Sequence, residues 1–247
     1  MTRAVRLALV VFAVQLLIVV GVVSGWVPVH PIVIMLPLVG LLNGRVEGRG
    51  REGLGLVVLK PARSLLLAFV FAALTLGRYL LVLRFGGIPL RVPPLTTETA
   101  VSLIGVFAVD VLIIALFEEV VNRGYIQTRL QSAWGFSGVV VATALFATLH
   151  LPSALLNLGP EPQAILFRFV QAGLGGFVFG YVYWRTGSAL TTIVVHGLNN
   201  FSFSLSQQLS GLTGWQVITN GMALQLVWLI GQVGLVLVLC DVLFGDG

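Results

Sequence analysis

The chain has 247 residues, 57% of them hydrophobic and only 9% charged, where soluble domains carry about 25% charged side chains. That excludes a soluble globular domain and leaves several apolar runs of roughly 20 residues, each long enough to cross a hydrocarbon core about 30 Å thick. The net charge of +5 would suit nucleic acid, but the basic residues sit mostly between the apolar runs, where they read as topology signals or contacts with anionic lipid. The fold class expected is all-α: one polytopic membrane helical bundle, a single integral-membrane domain over residues 1–247. Nucleic acid is not among its expected partners.

About eight transmembrane spans are predicted. Arg3 and Arg6 precede an apolar run over 7–23, longer than a signal-peptide core, so the first span, about 5–25, is expected to remain uncleaved. The second, about 27–43, carries Pro28 and Pro31 at its start and Pro37 as an expected kink. In the glycine-rich stretch 45–63, Arg45, Arg49, Arg51, Lys60 and Arg63 outnumber Glu47 and Glu52. The positive-inside rule puts this loop and the N-terminus in the cytoplasm. The third span, about 64–83, leads through Gly86-Gly87 and Pro93-Pro94 to Thr96-Thr97-Glu98, a cap for the fourth. Gly135 breaks the chain before a fifth span, about 136–151, closed by Pro152, and 157–160 is expected to be a loop. The sixth span, about 164–184, holds Gly176 and Gly180, a small-xxx-small pair that lets a neighbouring helix approach closely. The seventh and eighth, about 189–208 and 215–239, return the C-terminus to the cytoplasm. Cys240, the lone cysteine, allows no internal disulfide.

Against this background Glu118, Glu119 and Arg123 stand out at the end of an almost wholly apolar run from 101 to 117. Ionisable groups at a membrane span are costly and mark functional sites by default. On a helix, Glu119 and Arg123 are four apart and meet on one face, whereas Glu118 points about 100° away. One acid is thus paired, and the other is available for chemistry.

Of three histidines, His30 lies between Pro28 and Pro31, where an interfacial or loop role is the natural reading. His150 follows Phe146 by one turn, and His196 precedes Asn200 by one turn, so each pair shares a helix face. A lone intramembrane histidine is more often a helix–helix hydrogen bond than a catalyst. Three polar cassettes in so apolar a chain favour chemistry.

Glu118-Glu119-x-x-x-Arg123, Phe146-x-x-x-His150 and His196-x-x-x-Asn200, in that order on successive apolar spans, resemble the three motifs of the CAAX-protease and bacteriocin-processing family of intramembrane proteases. That family includes the type II CAAX prenyl endopeptidases, and its motif-bearing core corresponds to about 97–208. The resemblance implies an intramembrane peptidase in which Glu118 is the general base and His150 helps to orient and deprotonate water. It further implies that His196 and Asn200 bind the oxyanion, while Glu119, Arg123 and Phe146 support the site. The expected partners are membrane lipid and a peptide or prenylated-protein substrate, and the expected location is a prokaryotic cell membrane.

Glu118, His150 and His196 also make an acceptable ligand set for a catalytic zinc. The sequence lacks the His-Glu-x-x-His helix that is the strongest zinc signature, so a metal-free mechanism is preferred. Rival readings are a non-catalytic immunity or scaffold protein and a transporter with a proton relay; no paired broken helices in related halves support the latter. Asp110 is expected to make a packing hydrogen bond, Asn122 and Gln127 to cap or bridge near the membrane surface, Arg78 and Arg84 to snorkel, and Arg168 to snorkel in preference to meeting a substrate carboxylate. Phe136, Phe177, Tyr181, Tyr183 and Trp184 are expected to face lipid or the interface.

Overall fold

The computed structural model describes residues 1–57, 60–94, 96–157 and 161–245, and every regular element among them is helical. α1, Arg3–Val23, begins where the Thr2 hydroxyl accepts the Val5 N–H. α2, Ile32–Leu41, opens on Pro31, contains Pro37 and runs on as a π-helical turn over Leu42–Val46. α3 is Pro61–Phe85. α4 is one 38-residue helix, Thr97–Trp134, started by Thr96, whose hydroxyl accepts the Thr99 N–H. Two π-helical stretches, Val109–Ala115 and Val120–Gln127, flank the α-helical turn Leu116–Glu119 inside it. π-Helical insertions widen a helix locally and recur at functional sites; here they bracket the two acids. α5 is Phe136–Thr148, α6 Leu151–Asn157, α7 Pro162–Thr186, α8 Ala189–Ser210, α9 Gly214–Thr219 and α10 Met222–Phe244.

Among the described residues, six helical stretches are long and apolar enough to cross a membrane: α1, α3, α4, residues 136–156, α7 and α10. The second expected span is the shorter apolar helix Ile32–Val46, and the seventh is α8, 22 residues long with polar groups along much of its length. The fourth span runs through the acidic cluster to Trp134, and Gly135, whose φ of 57° ends the helix, breaks the chain there as expected. Two expected boundaries change. Pro152 does not close the fifth span: it sits in the first turn of α6, where its missing N–H and fixed φ cost nothing. The eighth span starts at Met222 rather than 215. Before it, α9 stands alone with a Thr213/Gln216 capping box and stops at Gly221, φ 59°. Residues 158–160 of the expected loop lie outside the described residues.

The chain divides into two compact units, Met1–Leu59 with Phe117–Thr192, and Lys60–Leu116 with Ile193–Gly247. In the first, small residues set the packing. A Cβ on Gly124 would meet the Leu54 carbonyl oxygen, and one on Gly180 would lie 3.0 Å from Gln127 Oε1 and 3.2 Å from Val139. The Gly176/Gly180 pair therefore serves contacts inside the chain: it seats α7 against α5 and α4. Arg129 fastens this unit from within. It is fully buried, stacks 3.9 Å from the Tyr125 ring centroid, pairs with Glu47 and donates to Asn43 Oδ1 at 2.8 Å and the Gly53 carbonyl at 2.9 Å. One α4 side chain thus ties down the polar loop after α2, a role with no signature in hydropathy. Tyr183 is buried as well, its hydroxyl 2.7 Å from that of Thr128. Its expected interfacial position is wrong because it has a polar partner inside. Phe136, Phe177, Tyr181 and Trp184 form a half-exposed aromatic cluster.

In the second unit α3 packs on α10 and α8. Trp228 Nε1 donates to the Leu74 carbonyl, Gln232 Nε2 donates to Thr75 Oγ1 at 2.7 Å, and Ser202 Oγ donates to the Ala72 carbonyl. α8 meets α4 so closely that a Cβ on Gly197 would lie 2.7 Å from Val111 Cα. Asp110 hydrogen-bonds Ser204, the packing bond expected of it. Arg78 does not snorkel: it is 3% exposed, with its guanidinium over the Tyr79 ring at 4.5 Å. It lies on the buried stripe Phe71, Thr75, Arg78 and Val82 of α3, so its stem has no path to the interface.

Candidate active site

The first unit holds a cavity of about 240 Å³. Glu118 and Asn122 reach it from α4, Phe146, Leu149 and His150 from the end of α5, and Ser153 from α6. Gln15, Val19, Val22 and Val23 of α1, with His30, Pro31 and Phe117, complete the lining. The sequence thus puts an acid and an imidazole on one wall and an apolar helix face on another.

Local backbone structure fixes how each group presents itself. α5 ends at Thr148, and His150 lies in the tight turn before α6. Its Nδ1 is 3.1 Å from the Phe146 carbonyl oxygen. A carbonyl can only accept, so Nδ1 carries a proton in this contact. The Phe146 ring stands edge-on to the imidazole at 4.8 Å between centroids and fixes its plane. Glu118 is half-buried, and its backbone carbonyl accepts from Asn122 Nδ2 at 2.8 Å. Asn122, itself buried, therefore braces the Glu118 turn from within. Gln127, fully buried, likewise donates inward, to the Gly180 carbonyl at 2.8 Å.

Glu119 points away from this wall. Its Oε2 lies 3.4 Å from Arg123 Nε, with both side chains wholly buried. The Arg123 guanidinium lies over the Phe146 ring at 4.6 Å. The same aromatic ring thus touches both the cation and His150, linking the buried ion pair to the imidazole. Gly176 makes the room: a Cβ there would be 2.7 Å from Phe146 Cδ1.

His196 and Asn200 belong to the second unit, one turn apart on α8. His196 is buried at 5% exposure and Asn200 is half-buried. Thr75 Oγ1 donates to Asn199 Oδ1 at 3.0 Å, and Asn199 Nδ2 reaches Asn200 Oδ1 at 3.5 Å. Asn199 is therefore a bracing residue, and the Gln232–Thr75–Asn199 relay behind it is legible only in three dimensions. Arg168 donates to Gln171 on its own helix at 3.0 Å. Among the described residues no three His, Cys, Asp or Glu side chains are grouped as ligands of one metal ion.

The sequence reading passed over Gln15, Ser153 and the cavity position of His30. Gln15 is the one amide in the apolar run 7–23, a signal that could have been taken up. Nothing in the sequence distinguishes His30 from an interfacial histidine.

Residues 100–202 match the family model described as type II CAAX prenyl endopeptidase Rce1-like. The matched segment contains all three motifs and belongs to that family, a class of intramembrane endopeptidases. With six helices among its described residues long and apolar enough to cross a membrane, the chain is an integral membrane protein. No curated protein matches the chain.

Proposed function

We propose that this protein hydrolyses a peptide bond at the membrane, with Glu118 and His150 activating the attacking water. The observation that carries the reading is the shared cavity: the half-buried Glu118 carboxylate and the His150 imidazole, oriented by the contact of its Nδ1 with the Phe146 carbonyl, line one small space. Water activation needs a base within reach of the nucleophile, and the developing oxyanion needs fixed donors. Following the family resemblance, His196 and Asn200 are those donors, and Glu119, Arg123 and Phe146 hold the geometry. The substrate proposed is the C-terminal tripeptide of a prenylated protein, cut after the modified cysteine, in a prokaryotic cell membrane.

The test is cleavage in liposomes of prenylated and unprenylated peptides by the wild type, Glu118→Gln, His150→Ala, His196→Ala and Asn200→Ala. Loss of turnover in folded Glu118→Gln and His150→Ala supports the reading; normal turnover by Glu118→Gln overturns it, and retained function in both favours a scaffold. The proposed mechanism is metal-free. Stoichiometric zinc in the purified protein, required for cleavage and removed by chelator, would instead assign Glu118, His150 and His196 as ligands.

A further inference from the structure

The cavity has a wall that neither the motifs nor the matched segment 100–202 supplies. α1 lies outside that segment, yet Gln15, Val19, Val22 and Val23, at i, i+4, i+7 and i+8, turn one helix face into the cavity. Gln15 is 2% exposed, and its Oε1 is buried without a hydrogen-bond partner among the described residues. Buried polar atoms are nearly always satisfied, and an exception in a cavity calls for an explanation. A carbonyl oxygen without a donor, above three valines, has the chemistry to take a peptide N–H beside an aliphatic side chain.

His30 supplies the complement. The Ile32 N–H donates to its Nδ1 at 3.3 Å, which leaves the ring proton on Nε2 as a donor. Its ring stands edge-on to Phe117, 5.9 Å between centroids, directly before Glu118. The wall therefore offers an acceptor at Gln15, a donor at His30 and the apolar surface of Val19, Val22 and Val23, the three kinds of contact that a peptide backbone with an aliphatic side chain can make.

We infer that α1 and the segment joining it to α2 form the substrate-binding wall of this cavity: Gln15 accepts a backbone N–H, His30 donates to a backbone carbonyl, and Val19, Val22 and Val23 take an aliphatic side chain. This rests on the peptidase reading above. It adds residues that select the substrate without touching the chemistry.

Gln15→Met removes the acceptor at similar volume. Because Oε1 has no partner to lose, the variant keeps or gains thermal stability, which a structural role for Gln15 would not allow. With an S-farnesylated peptide carrying two valines after the cysteine, and its unprenylated counterpart, Gln15→Met raises KM about 3- to 10-fold with kcat nearly unchanged, the signature of lost uniform binding. Binding to Glu118→Gln, which needs no turnover, weakens by the same factor when Gln15→Met is added. Replacing successive substrate amides by esters finds one position at which wild-type binding falls and Gln15→Met binding does not. His30→Phe, which keeps the ring, weakens binding similarly, and Val22→Ala shifts preference toward bulkier aliphatic side chains. Unchanged KM and binding in Gln15→Met while the wild type cleaves overturns this inference and leaves the peptidase reading standing. Gln15-dependent binding with normal cleavage by Glu118→Gln does the reverse. Failure of Glu118→Gln to bind either peptide overturns the binding wall.

Discussion

Replacing Glu119 by Gln strands Arg123 in a site where neither side chain reaches solvent. At 3.4 Å and an effective dielectric of about 20, the lost attraction is about 5 kcal/mol; measured costs of breaking buried pairs are about 3–5 kcal/mol. The contact of Arg123 with Phe146 persists but is worth only about 1–2 kcal/mol, and Glu118, the other acid acting on Arg123, is committed to the cavity wall. Glu119→Gln should therefore lose about 3–5 kcal/mol, which for a chain of this size lowers Tm by roughly 6–20 °C. Arg123→Met should lose a similar amount by leaving Glu119 buried without its cation. The double variant should recover much of the loss, because an apolar pair of similar volume has no charge to desolvate. Thermal unfolding in detergent, followed by tryptophan fluorescence, gives the four corners of the cycle. If Glu119→Gln unfolds within 2 °C of the wild type, or if the two losses simply add, the buried pair is not what holds this turn.

Gly176→Ala forces Phe146 to move, since the new Cβ lies 2.7 Å from its Cδ1; it should cost about 1–3 kcal/mol and lower kcat by releasing the His150 ring, as cleavage kinetics and thermal unfolding will show. Arg129→Gln leaves Glu47 and the loop after α2 without their buried cation and should destabilise by about 3–5 kcal/mol, with faster proteolysis at 45–55 under limiting trypsin. Thr75→Val removes one link of the Gln232–Thr75–Asn199 relay. It should cost about 1–3 kcal/mol and lower kcat more than it changes KM, because the amide of Asn200 loses its brace; equal kcat in the folded variant refutes that role.

Hydropathy alone determined the membrane class, because a chain this apolar has no other solvent in which to bury its helices. The motifs were equally legible. Glu119 with Arg123, Phe146 with His150 and His196 with Asn200 are each separated by four residues, a spacing that puts both members of a pair on one helix face; the first two pairs are in contact. Boundaries were less secure: Pro152 reads the same whether it ends one helix or starts the next, and only the chain path beyond it distinguishes the two. The burial of Arg78, Arg129 and Tyr183 was not legible at all, because a long polar side chain in an apolar helix looks identical whether it snorkels to water or finds carbonyls and rings from distant segments. The cavity itself was decided by tertiary structure. Gln15, His30 and Glu118 are brought to one space by packing between helices far apart in sequence, and no local period encodes which faces will meet.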